Sequence, residues 1–146
     1  MSDVGTVLDD GALRLEFLVT GASSEGALHE MRAIYAPDSP LAIAHLHPAQ
    51  DERFEVLEGE LLFVVDGDER RVHAAETIHI PRGSVHQVRN PGAVPAIAVW
   101  QTRPALRTGE FLVAAAAARA GGDLDALLEV VAAYDDVFVL ADQPGG

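Results

Sequence analysis

The chain has 146 residues, 49% of them hydrophobic and 23% charged, which supplies one sizeable core and excludes a disordered or fibrous chain. Ten Lys and Arg against 23 Asp and Glu leave a formal net charge of −13, so neither nucleic acid nor an anionic membrane is expected as a partner. There is no cysteine; disulfides, thiolate metal sites and cysteine nucleophiles are excluded, and any metal must sit on nitrogen and oxygen donors.

In chain order, Met1-Ser2-Asp3-Val4-Gly5 carries neither a basic nor an apolar region of an export signal, which predicts a cytoplasmic protein. Short apolar or β-branched segments then recur with turn signals between them, the pattern of an all-β barrel or sandwich. The predicted strands are Arg14–Thr20, Glu30–Ala36, Ile43–His47, Phe54–Leu57, Leu61–Val65, Glu69–Val72, Thr77–Pro81, His86–Asn90 and Ala96–Gln101. Asp66-Gly67-Asp68 separates two of them and predicts a hairpin, because Gly tolerates positive φ. Residues 105–146 read differently. Thr108 is placed to cap a helix over Gly109–Ala120, ended by Gly121-Gly122, and Asp123 to cap a second. Leu124, Leu127, Leu128 and Val131 give this second helix one apolar face, expected to dock on the barrel or on a partner subunit. The longest apolar run, Phe111 to Ala118, has eight residues, far short of the roughly 20 of a spanning helix. The expected organisation is a barrel over residues 1–104 and a helical extension over 105–146 packed on it as one unit.

The chemistry lies in the histidines. His45 and His47 form an H-x-H pair on a predicted strand, where residues i and i+2 share a face and two imidazoles converge on one ion. Glu52, opening the next strand after Pro48-Ala49-Gln50-Asp51, can return a carboxylate to that face. Alone, this spacing arises by chance in roughly two per cent of chains of this composition. A second element follows in Pro81-Arg82-Gly83-Ser84-Val85-His86, where Pro and Gly make a tight turn and place His86 at the start of a new strand.

Together these residues resemble the two motifs of the cupin superfamily. His45-x-His47-x4-Glu52-x6-Gly59 is similar to the first, and Pro81-x-Gly83-x2-His86-x3-Asn90 to the second. The resemblance covers residues from about 30 to 104 and implies an all-β double-stranded β-helix, or jelly-roll barrel, with two C-terminal α-helices. It implies that His45, His47, Glu52 and His86 hold one divalent metal in the barrel mouth. Imidazole and carboxylate suit Fe, Mn, Ni, Co or Zn and discriminate poorly among them. Two glycines of the family pattern are replaced, one by Ser39 before the first motif and one by Ala75 opening the second.

Other residues have two readings each. Gln50 is the second candidate oxygen donor, either on the metal in place of Glu52 or hydrogen-bonded to a ligand imidazole. Phe54 and Val56 share the parity of Glu52, so they either wall the metal pocket or pack the core. Trp100 lines the cavity or is simply buried. His79 faces the cavity or, the better reading, is structural or on the surface, while Arg53 should point away from the metal. His29 and His73 have no partner at ligand spacing and are expected on the surface. No serine elbow, phosphate-cradling loop or dinucleotide fingerprint is present.

The resemblance thus leads to a metal-dependent enzyme acting on a small organic molecule, with dioxygenase-type oxidation the leading reaction and Glu52 available as a general base. The alternatives are a cupin cyclase, isomerase or lyase, or a binding module without turnover. A homodimer is expected.

Overall fold

The computed structural model describes residues 3–141. In chain order the elements are β1 (Val7–Asp9), β2 (Leu13–Val19), β3 (His29–Tyr35), β4 (His45–Leu46), β5 (Asp51–Glu58), β6 (Glu60–Val65), β7 (Asp68–His73), β8 (Thr77–Ile80), β9 (His86–Arg89), β10 (Ala96–Arg103), α1 (Thr108–Ala120), α2 (Leu124–Ala133) and β11 (Val139–Leu140). The strands form two antiparallel sheets, ordered β1-β2-β3-β10-β5-β8 and β11-β4-β9-β6-β7. This is the two-sheet jelly roll with two C-terminal helices that the sequence motifs imply. No helix among the described residues is long and apolar enough to cross a membrane.

Strict alternation builds the core. Met31, Ala33 and Tyr35 of β3, Phe54 and Val56 of β5, Leu61, Phe63 and Val65 of β6, and Ala96 and Ala98 of β10 all point between the sheets. Burying each large side chain contributes roughly 1.5–3 kcal/mol, so these rows dominate the stability. Phe54 and Phe63 meet edge to face across the sheets, with ring centroids 5.0 Å apart.

Backbone conformation explains three motif positions. Asp66 and Gly67 both have positive φ, 49° and 86°, making the two-residue turn whose twist matches the β6–β7 hairpin. Gly59, at φ 73°, sits so close to β10 that a Cβ would meet the Pro95 carbonyl at 3.0 Å. Ala75, standing where the family pattern has glycine, keeps the glycine conformation at φ 73°. Ser39 is instead a useful replacement, since its hydroxyl accepts the Asn90 N–H at 2.8 Å.

The structure departs from the sequence-based expectations at several places. Thr108 does not cap α1; the N-cap residue is Arg107, with no side-chain cap, because the Thr108 hydroxyl is turned inward and bonded by Gln50. Asp123 does cap α2, accepting from the Ala126 N–H at 3.0 Å. The apolar face of α2 is only half covered: Leu127, Val130 and Val131 pack toward Phe111, Ala115 and Val137, while Leu124 and Leu128 stay 67% and 48% exposed. The helix docks on α1 along a narrower stripe than its periodicity offers. Strands β1 and β11 have no counterpart among the predicted strands, being too short to show alternation. His29 is not a surface residue. It is buried edge-on to Phe17 with centroids 4.6 Å apart, and burial pushes its pKa down to about 4, so it is neutral.

Candidate metal centre

The H-x-H pair spans the end of β4 rather than the middle of a strand, with His47 just beyond it. Register places His45 directly opposite His86 of β9, with ring centroids 4.4 Å apart. Glu52 comes from the other sheet, pointing inward by the same parity as Phe54. The ligating nitrogens of His45, His47 and His86 lie within 4.8 Å of one another. One sheet therefore supplies three imidazoles and the facing sheet a carboxylate.

The tautomers follow from hydrogen bonds. The Nδ1 of His45 reaches the Ile43 carbonyl at 2.7 Å, that of His47 the Val137 carbonyl at 2.6 Å, and that of His86 the Ser84 carbonyl at 3.0 Å. A carbonyl only accepts, so in each neutral ring Nδ1 carries the proton and Nε2 presents a lone pair. Glu52 Oε1 lies 3.0 Å from Nε2 of His47 and 2.9 Å from Nε2 of His86. Nε2 of His47 and of His86 and Oε1 of Glu52 thus converge in one buried spot, and a cation held among them would engage all three.

Electrostatics agree. Burial alone would raise the Glu52 pKa, but His47 and His86 outweigh it and hold the carboxyl well below the usual range. Burial opposes charge on His47, yet the Glu52 carboxylate and the Val137 carbonyl raise its pKa overall. His45, desolvated and next to two other imidazoles, is lowered to about 4 and stays neutral. The centre attracts one positive charge. Trp100 Nε1–H donates to Glu52 Oε2 at 2.5 Å, and its ring stacks on Phe54 at 5.1 Å, which fixes the carboxylate plane. His45, His47 and His86 thus form a group able to hold a divalent transition metal, with the Glu52 carboxylate beside two of them.

The four donors line a cavity of about 280 Å³, close to the lower end of the roughly 300–1,000 Å³ common for small-molecule sites. Its walls are mostly apolar, including Leu15, Phe54, Val88, Trp100, Leu112 and Phe138, and its exposed rim includes Asp10, Leu41, Ile43 and Arg119.

The remaining candidates divide clearly. Phe54 and Trp100 line the cavity; Val56 does not, being packed in the core. His79 is exposed on β8, opposite Arg53 across the sheet, so it is no pocket residue. The structure does not bring Gln50 to the imidazoles. Its amide donates to the carbonyls of Pro104 and Ala105 and to the Thr108 hydroxyl, at 2.8, 3.0 and 2.8 Å. Sequence reasoning missed Val137 and Phe138, whose carbonyl and ring contact His47 and His45. The run Val137–Leu140 was the one available signal, a short β-branched and aromatic segment after the last helix.

Comparison with known proteins gives the same architecture. Residues 31–102 match the cupin domain family. Over 60 residues the chain is 38% identical to the tetracenomycin polyketide synthase protein TcmJ of Streptomyces glaucescens, covering 41% of this chain and 40% of that protein. The match thus spans well under half of that relative. A structure from Klebsiella pneumoniae, of an uncharacterised conserved protein with a double-stranded β-helix domain, aligns with a TM-score of 0.62 at 16% identity, covering 92% of this chain and 89% of that one. Oxalate oxidase in complex with its substrate analogue glycolate aligns with a TM-score of 0.55 at 27% identity, covering 66% of this chain and 53% of that one.

Proposed function

The chain belongs to the cupin family, as a single barrel with two C-terminal helices, and from that premise we propose that it is a metal-dependent enzyme acting on a small, largely apolar organic molecule. The observation that carries this reading is the convergence of three imidazoles, with the buried Glu52 carboxylate 3.0 and 2.9 Å from two of them, at the inner end of an apolar cavity. His45, His47, His86 and Glu52 are the ligands in this proposal. When bound, a divalent metal supplies Lewis acidity toward substrate oxygens and, for Fe or Mn, electron exchange with dioxygen.

The protein's own groups do the rest. Leu15, Phe54, Val88 and Leu112 bind and orient the apolar body of the substrate, and they exclude water from its reacting end. Trp100 holds Glu52 by Oε2, leaving Oε1 beside His47 and His86 as the oxygen that would hold the metal; loosened from it, that oxygen is the group available to take a proton from a substrate hydroxyl or enol. Dioxygenase-type oxidation is the reaction proposed, a choice supported by a donor set of three imidazoles and one carboxylate that suits Fe and Mn. A second reading, cyclisation of a polyketide-like chain with loss of water, is favoured by the 38% identity to a polyketide synthase protein. The reading includes a homodimer, supported by the exposed Leu124 and Leu128 of α2.

The test begins with elemental analysis of protein purified without chelator or metal-affinity resin, beside a His45→Ala, His86→Ala variant. About one equivalent of a transition metal is expected, and loss in the variant. The metal-loaded protein is then offered hydroxylated aromatics and β-dicarbonyl compounds under air and under nitrogen. Substrate-dependent oxygen uptake with two oxygen atoms gained supports oxidation. Loss of one water without oxygen uptake supports cyclisation instead. Failure to take up any metal, even on reconstitution, overturns both.

A further inference from the structure

The three imidazoles are not all oriented by the barrel. His45 and His86 bond to carbonyls two residues before them, whereas the Nδ1 partner of His47 comes from Val137, 90 residues away. The segment from Tyr134 to Ala141 reaches the centre at several points. The Phe138 ring lies between two others, stacked on His45 at 4.6 Å and on Phe111 at 4.9 Å. Strand β11 extends the sheet along β4, pairing Val139 with Leu46 and Leu140 with His45, and the Ala141 N–H donates to the Ala44 carbonyl at 3.1 Å. The upstream end is fastened by Arg107. Its guanidinium forms an ion pair with Asp136, donates to the Ala133 carbonyl at 3.0 Å and lies 4.4 Å over the Tyr134 ring.

A neutral imidazole carries its proton on either nitrogen, and its partners decide which. The Val137 carbonyl accepts only from Nδ1–H. Without it, the competing tautomer of His47 would donate from Nε2 to Glu52 Oε1, 3.0 Å away. That bond would engage both atoms and withdraw His47 Nε2 and Glu52 Oε1 from a metal.

We propose that residues 134–141 are a positioning strap for the metal centre, with Asp136 and Phe138 as positioning residues. The strap holds His47 in the tautomer that leaves Nε2 free for a divalent transition cation, and the Arg107–Asp136 clasp sets the affinity for it. This rests on the metal reading above.

The test compares Asp136→Asn and Phe138→Leu with the wild type, and Asp136→Glu as the variant that keeps the carboxylate. Long-range proton–nitrogen NMR spectra of the metal-free proteins, recorded where the imidazoles are neutral, report the His47 tautomer. The wild type is expected to carry the proton on Nδ1 and the first two variants to shift toward Nε2. Chelator competition with Zn(II), and the visible spectrum of the Co(II) form, report the centre itself. Affinity is expected to fall by about 10–100-fold in Asp136→Asn and Phe138→Leu, with Asp136→Glu recovering most of it. Thermal unfolding of the metal-free variants establishes that each is folded; Asp136→Asn, isosteric and on the surface, keeps the test decisive should Phe138→Leu fail to fold. Metal uptake by the wild type, with tautomer and affinity unchanged in the folded variants, overturns this proposal alone. No metal uptake by the wild type overturns it together with the metal reading.

Discussion

Ala75 holds a left-handed backbone conformation that the family pattern assigns to glycine, at φ 73°. A Cβ in that conformation costs roughly 1–2 kcal/mol, while glycine adds about 0.4–1 kcal/mol of unfolded-state entropy to be lost on folding. Ala75→Gly is therefore expected to stabilise the protein by about 0.5–1 kcal/mol, measured by urea unfolding; a loss of stability would show that Ala75 contributes packing that outweighs its strain. Ser39, the other replaced glycine, is different because its hydroxyl has a buried partner in Asn90. Single residues also show where the sequence was legible. His45, His47, Glu52 and His86 could be picked out as candidates because their chemistry and spacing are local, and the structure brings the three imidazoles together with Glu52 beside two of them. His29 could not be placed correctly: it starts β3 with the inward parity, and a strand boundary set one residue later, at Glu30, left it outside the strand.

At the scale of elements, Gln50 joins the strand that carries the carboxylate to the helix that walls the cavity. Its buried amide serves the Pro104 and Ala105 carbonyls and the Thr108 hydroxyl, at the entry to α1. Gln50→Leu leaves those acceptors without their donor, and unsatisfied buried groups cost about 1–3 kcal/mol each. The expected result is a loss of about 3 kcal/mol in chemical denaturation, with faster hydrogen exchange at the first turn of α1. Unchanged exchange there would mean that α1 is held by its apolar face alone. The β6–β7 hairpin and α2 were legible because Asp66-Gly67 and the Asp123 cap act on their own neighbours. The Thr108 cap was not, because a residue 58 positions away takes its hydroxyl.

At the scale of the whole molecule, the candidate metal centre lies where the two sheets face each other, with His45 and His86 on one and Glu52 on the other. A cation bound only by the folded protein stabilises it through mass action, by about 2.7 kcal/mol at a free concentration a hundred times Kd. Scanning calorimetry of metal-free protein with added Mn(II), Co(II) or Zn(II) should show Tm rising by several degrees and a chelator returning it; a Tm indifferent to all three would oppose a folded-state site. By itself the sequence determined the sheet-forming alternation, the hairpin and the two helices, and it singled out the four candidate donors, since each depends on neighbours within a few residues or on parity along one strand. Only the tertiary structure decided which groups orient those donors. Trp100 reaches Glu52, and Val137 and Phe138 reach His47 and His45, across 48 to 93 positions of chain. Contacts of that kind depend on how the sheets and the C-terminal segment dock, and no local pattern encodes the docking.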